Sequence, residues 1–369
     1  MPKAARHHES PSSVATDGAT DAFAHALLAW YDDHGRKDLP WQQSRNAYRV
    51  WLSEVMLQQT QVRTVIPYFE RFVAALPTLA ALAAAPQDQV LALWSGLGYY
   101  SRARNLHRAA QLCVELHGGE LPRDIDALSA LPGIGRSTAA AILAQTWNER
   151  HAILDGNVRR VLARWHGVHG WPGATAVQRE LWSLADAHTP AARAGDYTQA
   201  IMDLGATLCV RSRPHCMRCP VSFGCVALRD GLTTQLPQAK PSRTVPTRAT
   251  TMLVVRDADG RVLLERRPPT GVWARLWSLP EVDDAASAAA RLRERYGVRA
   301  ELHMALDRFV HTFSHYHLQI TPLLLHGSPL PDRVAEDADH GWHAPAQLAA
   351  LGLPAPVRKL LQTLDEEVR

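Results

Sequence analysis

The chain has 369 residues, 46% of them hydrophobic and 21% charged, with a formal charge of +4 at neutral pH and a pI near 8.9. That length and apolar content support two or more domains with packed cores and exclude a disordered protein. The slight basic excess permits nucleic-acid binding without requiring it, no apolar run approaches a membrane span, and the polar stretch Met1 to Thr20 lacks a signal core, so an intracellular protein is expected.

In chain order, residues 1–20 read as a disordered tail and residues 21–229 as almost entirely helical. Apolar stripes at helical spacing run through Phe23, Leu27, Trp30 and Tyr31, through Tyr48, Trp51, Leu52 and Val55, and through Leu106, Ala110, Cys113 and Leu116. Cys113 thus reads as a small buried hydrophobe rather than a ligand. Glu54 sits in the strongly apolar helix Trp51-Leu-Ser-Glu-Val-Met-Leu-Gln-Gln-Thr, and helical spacing puts it on one face with Gln58 and Gln61. A carboxyl on such a face loses solvation, its pKa rises, and it becomes a candidate general acid; the plainer alternative is a solvated surface glutamate.

A helical hairpin is expected over about 124–147. Asp124 caps a short helix ending near Ala130, Pro132-Gly133 and Gly135 break the chain, and a second helix follows. Without side chains at Gly133 and Gly135, the amides at the start of that helix can meet a phosphate oxygen, although an ordinary helix-helix turn would look similar. Further on, Asp155-Gly156-Asn157 precedes a helix with Val158, Val161, Leu162 and Trp165 on one stripe. Asp155 is therefore an N-cap, and the helix start is expected to hold its carboxylate ionised, ready to stabilise a cationic sugar.

Four of the five cysteines, Cys209, Cys216, Cys219 and Cys225, fall in one short window. In an intracellular protein such packing indicates metal, and the uneven spacing with Pro220 after the third favours one 4Fe-4S cluster over zinc. Arg211, Arg213 and Arg218 decorate the same loop and suit phosphate contacts. Residues 230–248 read as a linker, and residues 249–369 as a separate α+β domain. In that domain two strands flank the turn Asp259-Gly260, helical segments cover Ala285 to Tyr296 and Ala355 to Leu364, and His311 to Ile320 alternates as a strand. His311, His315 and His317 share a strand face without an acidic or cysteine partner, which argues against a metal site there.

Taken together, Trp51-Leu-Ser-Glu-Val-Met-Leu-Gln-Gln-Thr-Gln-Val, Gly96-Leu-Gly-Tyr-Tyr-Ser-Arg-Ala-Arg-Asn-Leu, Leu131-Pro-Gly-Ile-Gly-Arg-Ser-Thr-Ala, Ile153-Leu-Asp-Gly-Asn-Val, the cysteine quartet and Arg308-Phe-Val-His-Thr-Phe-Ser-His carry a resemblance. The chain resembles the adenine DNA glycosylases of the MutY type, within the helix-hairpin-helix, glycine/proline-rich, aspartate family that includes endonuclease III. The resemblance implies an all-α helix-hairpin-helix glycosylase core with an Fe-S loop over 209–225, followed by a Nudix-like lesion-recognition domain. It implies hydrolysis of the N-glycosidic bond of adenine flipped from double-stranded DNA, where it lies opposite 8-oxoguanine or guanine. Glu54 would protonate the leaving adenine, and Asp155 would stabilise the oxocarbenium-like sugar.

By the same resemblance, Gln59 and Tyr99 wedge into the duplex. Leu131, Gly133, Gly135, Ser137 and Asn157 belong to its DNA-binding set, and Phe313, Ser314 and His315 meet the 8-oxoguanine. A monomeric, nucleoid-associated enzyme is expected. Ser137 stands where bifunctional relatives carry a lysine, which speaks for a monofunctional enzyme and against an endonuclease III-like glycosylase-lyase acting on oxidised pyrimidines. The remaining alternative is a Nudix-type nucleotide hydrolase with a noncatalytic DNA-binding module. Arg291-Leu-Arg-Glu-Arg-Tyr-Gly lacks the paired glutamates that such an enzyme needs for magnesium.

Overall fold

The computed structural model describes residues 17–241, 244–331 and 339–367. Thirteen helices come first among them: α1 (Asp17–His34), α2 (Pro40–Gln43), α3 (Ala47–Leu57), α4 (Val62–Ala75), α5 (Leu79–Ala84), α6 (Gln87–Trp94), α7 (Ser101–Leu116), α8 (Ile125–Ala130), α9 (Arg136–Trp147), α10 (Gly156–His166), α11 (Thr175–His188), α12 (Ala194–Thr207) and α13 (Val226–Arg229). Most of the expected tail lies outside the described residues; its last four positions, 17–20, already belong to α1. No described helix is long and apolar enough to cross a membrane.

The chain divides into two compact units. The first holds the chain up to Glu54, Pro122–Ala130 and Ile134–Pro241; the second holds Val55–Leu121, Leu131–Gly133 and everything after Pro241. The core of the first is built from Phe23, Leu27 and Tyr31 of α1, Val158, Leu162 and Trp165 of α10, Leu181 of α11, and Tyr197, Ile201 and Leu204 of α12. Its centre is α9, in which Ala139 through Gln145 are all buried. Small residues make that burial possible. A Cβ on Gly195, near the start of α12, would stand 2.6 Å from the Ala144 carbonyl oxygen of α9, and one on Gly205 would stand 2.6 Å from the Asn157 Cβ of α10. The backbones of α9, α10 and α12 therefore approach more closely than side chains would allow.

The second unit packs α4 to α7 around Phe69, Phe72, Leu82, Trp94 and Leu106 and adds a mixed sheet. The strands are β1 (Thr247–Arg256), β2 (Val262–Arg266), β3 (Trp277–Ser278), β4 (Glu281–Val282), β5 (Val298–Ala305), β6 (Phe309–Thr312), β7 (His317–Pro329) and β8 (His340–His343), with α14 (Ala288–Tyr296) and α15 (Ala355–Glu367) completing the domain. The sheet order is β3-β2-β1-β7-β5, with β4 on β1, β6 on β7 and β8 on β2. β1 and β7 run parallel, from Thr247 opposite His317 to Arg256 opposite His326. The turn expected at Asp259-Gly260 joins β1 to β2, and Gly260 adopts the left-handed φ of 75° that such a turn favours.

One expected strand is two. The chain from His311 to Ile320 folds back between β6 and β7, where the Phe313 amide donates to the Tyr316 carbonyl at 2.9 Å. Tyr316, Leu318 and Ile320 are buried as the alternation required, while Ser314 and His315 stand exposed at the turn. Within the same unit the sheet domain is tied to the helices by Arg266, which forks onto Asp88 at 2.7 and 2.8 Å, and by the Ser95 and Tyr100 hydroxyls, which donate to Leu353.

The close approach of α9 and α12 gives a direct check. Gly195→Val is expected to lower unfolding free energy by about 1–3 kcal/mol by forcing the two backbones apart; an unchanged denaturation midpoint would show that the contact yields without cost.

Candidate active site

Glu54 belongs to α3, whose sequence is apolar on nearly every side, and the helix stops at Leu57. Gln58 and Gln61 therefore lie beyond the helix and not on a shared face, contrary to the expectation. The polar partner of Glu54 comes instead from α9, where Gln145 donates from Nε2 to Oε1 of Glu54 at 3.0 Å. Glu54 keeps part of its surface open to solvent, yet protein atoms crowd its carboxyl. Burial pushes that carboxyl up to about 7, with the Gln145 hydrogen bond opposing the rise and the nearby charge of Asp155 adding to it.

Asp155 caps α10, accepting from the Val158 amide at 2.7 Å. The expectation that the helix start holds this carboxyl ionised meets an opposing effect. Burial raises it, and the amides of Val158 and Asn157 together with the charges of Arg160 and Arg159 offset that rise only in part. The two carboxyls still differ in kind, because Asp155 is ringed by donors that favour its anion, while Glu54 has a single amide group and a negative neighbour.

The hairpin folds as its sequence implied. Asp124 Oδ1 accepts from the Asp126 and Ala127 amides at 3.1 and 2.8 Å, and α8 ends at Ala130. Gly133 takes a left-handed φ of 80°, and a Cβ there would stand 2.9 Å from the Asn105 side chain, whereas one on Gly135 would meet nothing within 4 Å. Gly133 is thus needed by the turn, and Gly135 leaves open space before the first amides of α9. Leu131 is buried. The Ser137 hydroxyl accepts from the Leu154 amide at 2.9 Å, which ties the start of α9 to the segment leading into Asp155.

The cysteine loop is bolted to α10. Arg164 donates to Cys209 Sγ at 3.4 Å, to the Val210 and Arg211 carbonyls at 2.8 and 3.1 Å, and to the Leu236 carbonyl at 2.8 Å. Arg160 donates to the Cys209 carbonyl at 2.7 Å, the Gly205 carbonyl at 2.7 Å and Asn157 Oδ1 at 2.8 Å. Asn157 is therefore engaged inside the protein through its side-chain oxygen. Arg211, Arg213 and Arg218 are exposed. Burial pushes the Cys219 thiol up to about 12 and raises Cys216 and Cys225 as well, with the neighbouring sulfurs adding to each. Cys209 is among the groups that disfavour ionisation of Cys216, Cys219 and Cys225, and such a donor set suits a cationic group among them. Among the described residues no three His, Cys, Asp or Glu side chains converge as they would around a single ion.

In the second unit, Gln59 and Tyr99 are both exposed and both hold left-handed backbone, with φ of 59° and 49°. Arg102 underlies their two loops. Its guanidinium donates to the carbonyls of Val55, Met56 and Gln58 on one side and of Leu97 and Gly98 on the other. Strain of this kind persists only where the surroundings fix it, and Arg102 supplies the fixing. Phe313 stacks near Trp273, His311 and Tyr316 at centroid distances of 5.2, 4.7 and 4.7 Å. Sequence reasoning passed over Gln145, Arg102, Arg160 and Arg164. The signal available was a glutamine in an alanine-rich run, and arginines spaced four apart on the helix that Asp155 caps.

A model of the HhH-GPD superfamily of base excision DNA repair proteins matches residues 52–187, and a NUDIX domain model matches residues 251–363. The helical part has the fold of a thermostable thymine-DNA glycosylase, at a TM-score of 0.53 and 25% identity over 58% of this chain and 99% of that one. Hairpin, helix-capping aspartate and half-buried glutamate thus accompany the fold of a helix-hairpin-helix DNA glycosylase of base excision repair. The adenine DNA glycosylase of Buchnera aphidicola subsp. Acyrthosiphon pisum (strain APS) is 34% identical over 94% of this chain and 98% of its own length. That of Homo sapiens is 37% identical over 83% of this chain and 67% of its own. The chain belongs to the adenine DNA glycosylase family: it is an adenine-specific DNA glycosylase, and its partner is DNA.

A raised acid has a stability consequence with a definite sign. Protonation of Glu54 favours the folded state, so its contribution is fully present below the ordinary glutamate range and is lost as pH rises through about 7. Glu54→Gln is expected to raise the unfolding free energy at mildly alkaline pH by about 1–3 kcal/mol and to change little in acid; equal effects at both pH values would place the Glu54 titration elsewhere.

Proposed function

We propose that the enzyme removes adenine lying opposite 8-oxoguanine or guanine, with Glu54 as general acid and Asp155 as the anion that stabilises the sugar. The observation that carries this reading is the pair itself: a carboxyl raised to about 7 by burial, beside a second carboxyl surrounded by amide donors and arginines. The flipped adenine takes the Glu54 proton, the glycosidic bond breaks with its electron pair leaving on the base, and positive charge develops at the sugar. Asp155 offsets that charge until water adds, and the proton that water gives up restores Glu54. Ser137 has no amine to form an imine with the opened sugar, so the product is an intact abasic site.

Cys209, Cys216, Cys219 and Cys225 would hold one 4Fe-4S cluster. The uneven spacing of the four cysteines, with Pro220 after the third, favours this group over a tetrahedral zinc site. Held by these four residues, such a cluster would help fold the loop, and its charge would support ionised thiolates. Gly135, the start of α9, Arg211, Arg213 and Arg218 suit phosphate contacts, and Gln59 and Tyr99 suit insertion into the duplex. The exposed turn of Phe313, Ser314 and His315 suits reading the base opposite adenine. Residues 21–229 are the glycosylase domain in this reading, 230–248 its linker and 249–369 the lesion-recognition domain. Nucleotide hydrolysis has no support, since Glu265 is taken by Tyr296 and Arg295, and Glu281 by Arg267.

Single-turnover excision on duplexes with adenine opposite 8-oxoguanine and opposite guanine tests these assignments together. Glu54→Gln and Asp155→Asn are each expected to lose at least about a hundredfold in rate with duplex binding retained, and near-normal turnover in either would remove that residue from the chemistry. Changing Phe313, Ser314 and His315 together to alanine is expected to erode the preference for 8-oxoguanine by a discrimination of about 1–3 kcal/mol; a preserved ratio would separate the turn from lesion reading. Borohydride is expected to trap no protein-DNA adduct, and iron to be found with the purified protein; stoichiometric zinc without iron would refute the cluster.

A further inference from the structure

The mechanism above makes no use of Gln145, yet the hydrogen bonds leading to it run in one direction. Asp203 is fully buried and accepts from Arg36 through its amide at 2.8 Å, Nε at 2.9 Å and a terminal nitrogen at 2.7 Å. A carboxylate offers only acceptors, so Gln199 turns its amide nitrogen to Asp203, at 2.7 Å, and leaves its oxygen facing Gln42. Gln42 meets that oxygen with its NH2 at 2.6 Å, and its own oxygen accepts from Arg45, a pure donor, at 2.6 Å. The same NH2 reaches Gln145 Oε1 at 3.2 Å, which leaves the Gln145 nitrogen against Glu54 at 3.0 Å. Asp203, which only accepts, and Arg45, which only donates, fix the sense of every amide between them.

We propose that Gln145 is a positioning residue for the general acid, held by this directional chain so that it presents a donor and never an acceptor to Glu54. The proposal rests on the general-acid reading of Glu54. A neutral carboxyl has one O–H to give. If the amide were reversed, its carbonyl would take that proton and hold it within the protein. With the nitrogen forward, Gln145 bonds a carboxyl oxygen of Glu54, the O–H is left for the adenine, and the anion that remains after transfer keeps a donor.

Charged groups on the packed elements do not replace it. From α10, Asp155 disfavours Glu54 ionisation, and Arg159 and Arg160 lie toward Asp155. Arg45 ends on Gln42, and Arg36 and Asp203 neutralise each other. A glutamine that merely filled the core of α9 would affect stability without affecting the pH dependence of the reaction.

The test is the pH profile of single-turnover adenine excision by the full-length enzyme with its native metal content. Wild-type activity is expected to fall as Glu54 loses its proton. In Gln145→Leu and in Gln145→Met, which keeps the length of the side chain, the alkaline limb is expected to move to higher pH by about one unit, since a donor to the anion is gone. Gln42→Met, which leaves Gln145 in place without the donor that orients it, is expected to move the limb the same way by less, and it serves should neither Gln145 variant fold. A limb that stays at the wild-type position in the folded variants overturns the proposal. Glu54→Gln keeps the two ideas apart: turnover in that variant sinks the general-acid reading, while its loss together with an unmoved limb sinks only the role of Gln145.

Discussion

A carboxyl held out of water is what the rest of this structure serves. Glu54 is pushed to about 7 because protein surrounds it, and an ionised group in that place would be costly without partners. The first unit supplies the surroundings with α9, a helix buried through Ala139 to Gln145, and makes room for that helix with glycines on α12. Only then can a glutamine from α9 reach a glutamate on α3. The same packing sets Gln199 of α12 within reach of Gln42, so one set of close contacts both buries the acid and orients its partner.

α10 is the second organising element. Its first turn is capped by Asp155, and its arginines hold the cysteine loop, with Arg160 on the Cys209 carbonyl and Arg164 on the Cys209 sulfur. Any displacement of that loop acts on the helix that Asp155 caps. Gly205 lets α12 meet Asn157 at close range, and Asn157 in turn accepts from Arg160. Cys209 and Asp155 are therefore both fastened to one helix. Positions on a helix are set more precisely than positions on a loop.

Local signals in the chain read well where the physics is local. The Asp124 and Asp155 caps, the glycine turn of the hairpin, the Asp259-Gly260 turn and the buried Cys113 all follow from side chains a few residues apart. Errors arose where partners come from far along the chain. Helical spacing extended the polar face of Glu54 to Gln58 and Gln61, but the helix ends at Leu57 and the true partner, Gln145, is 91 residues away. Alternation from His311 to Ile320 resembled one strand because a tight turn preserves the period of two on either side. Burial of Asp155, which only the tertiary fold determines, raises its carboxyl against the amides of the cap, an effect the local sequence does not show.

The proposed chemistry requires Glu54 to be a neutral acid near physiological pH. Carbon-13 NMR of glutamate-labelled enzyme reads its carboxyl directly, with Glu54→Gln identifying the resonance. A titration midpoint near 7, absent from the variant, is the expected result. A midpoint in the ordinary glutamate range, at about 4 to 5, would mean that Glu54 is ionised at neutral pH and cannot supply the proton to adenine.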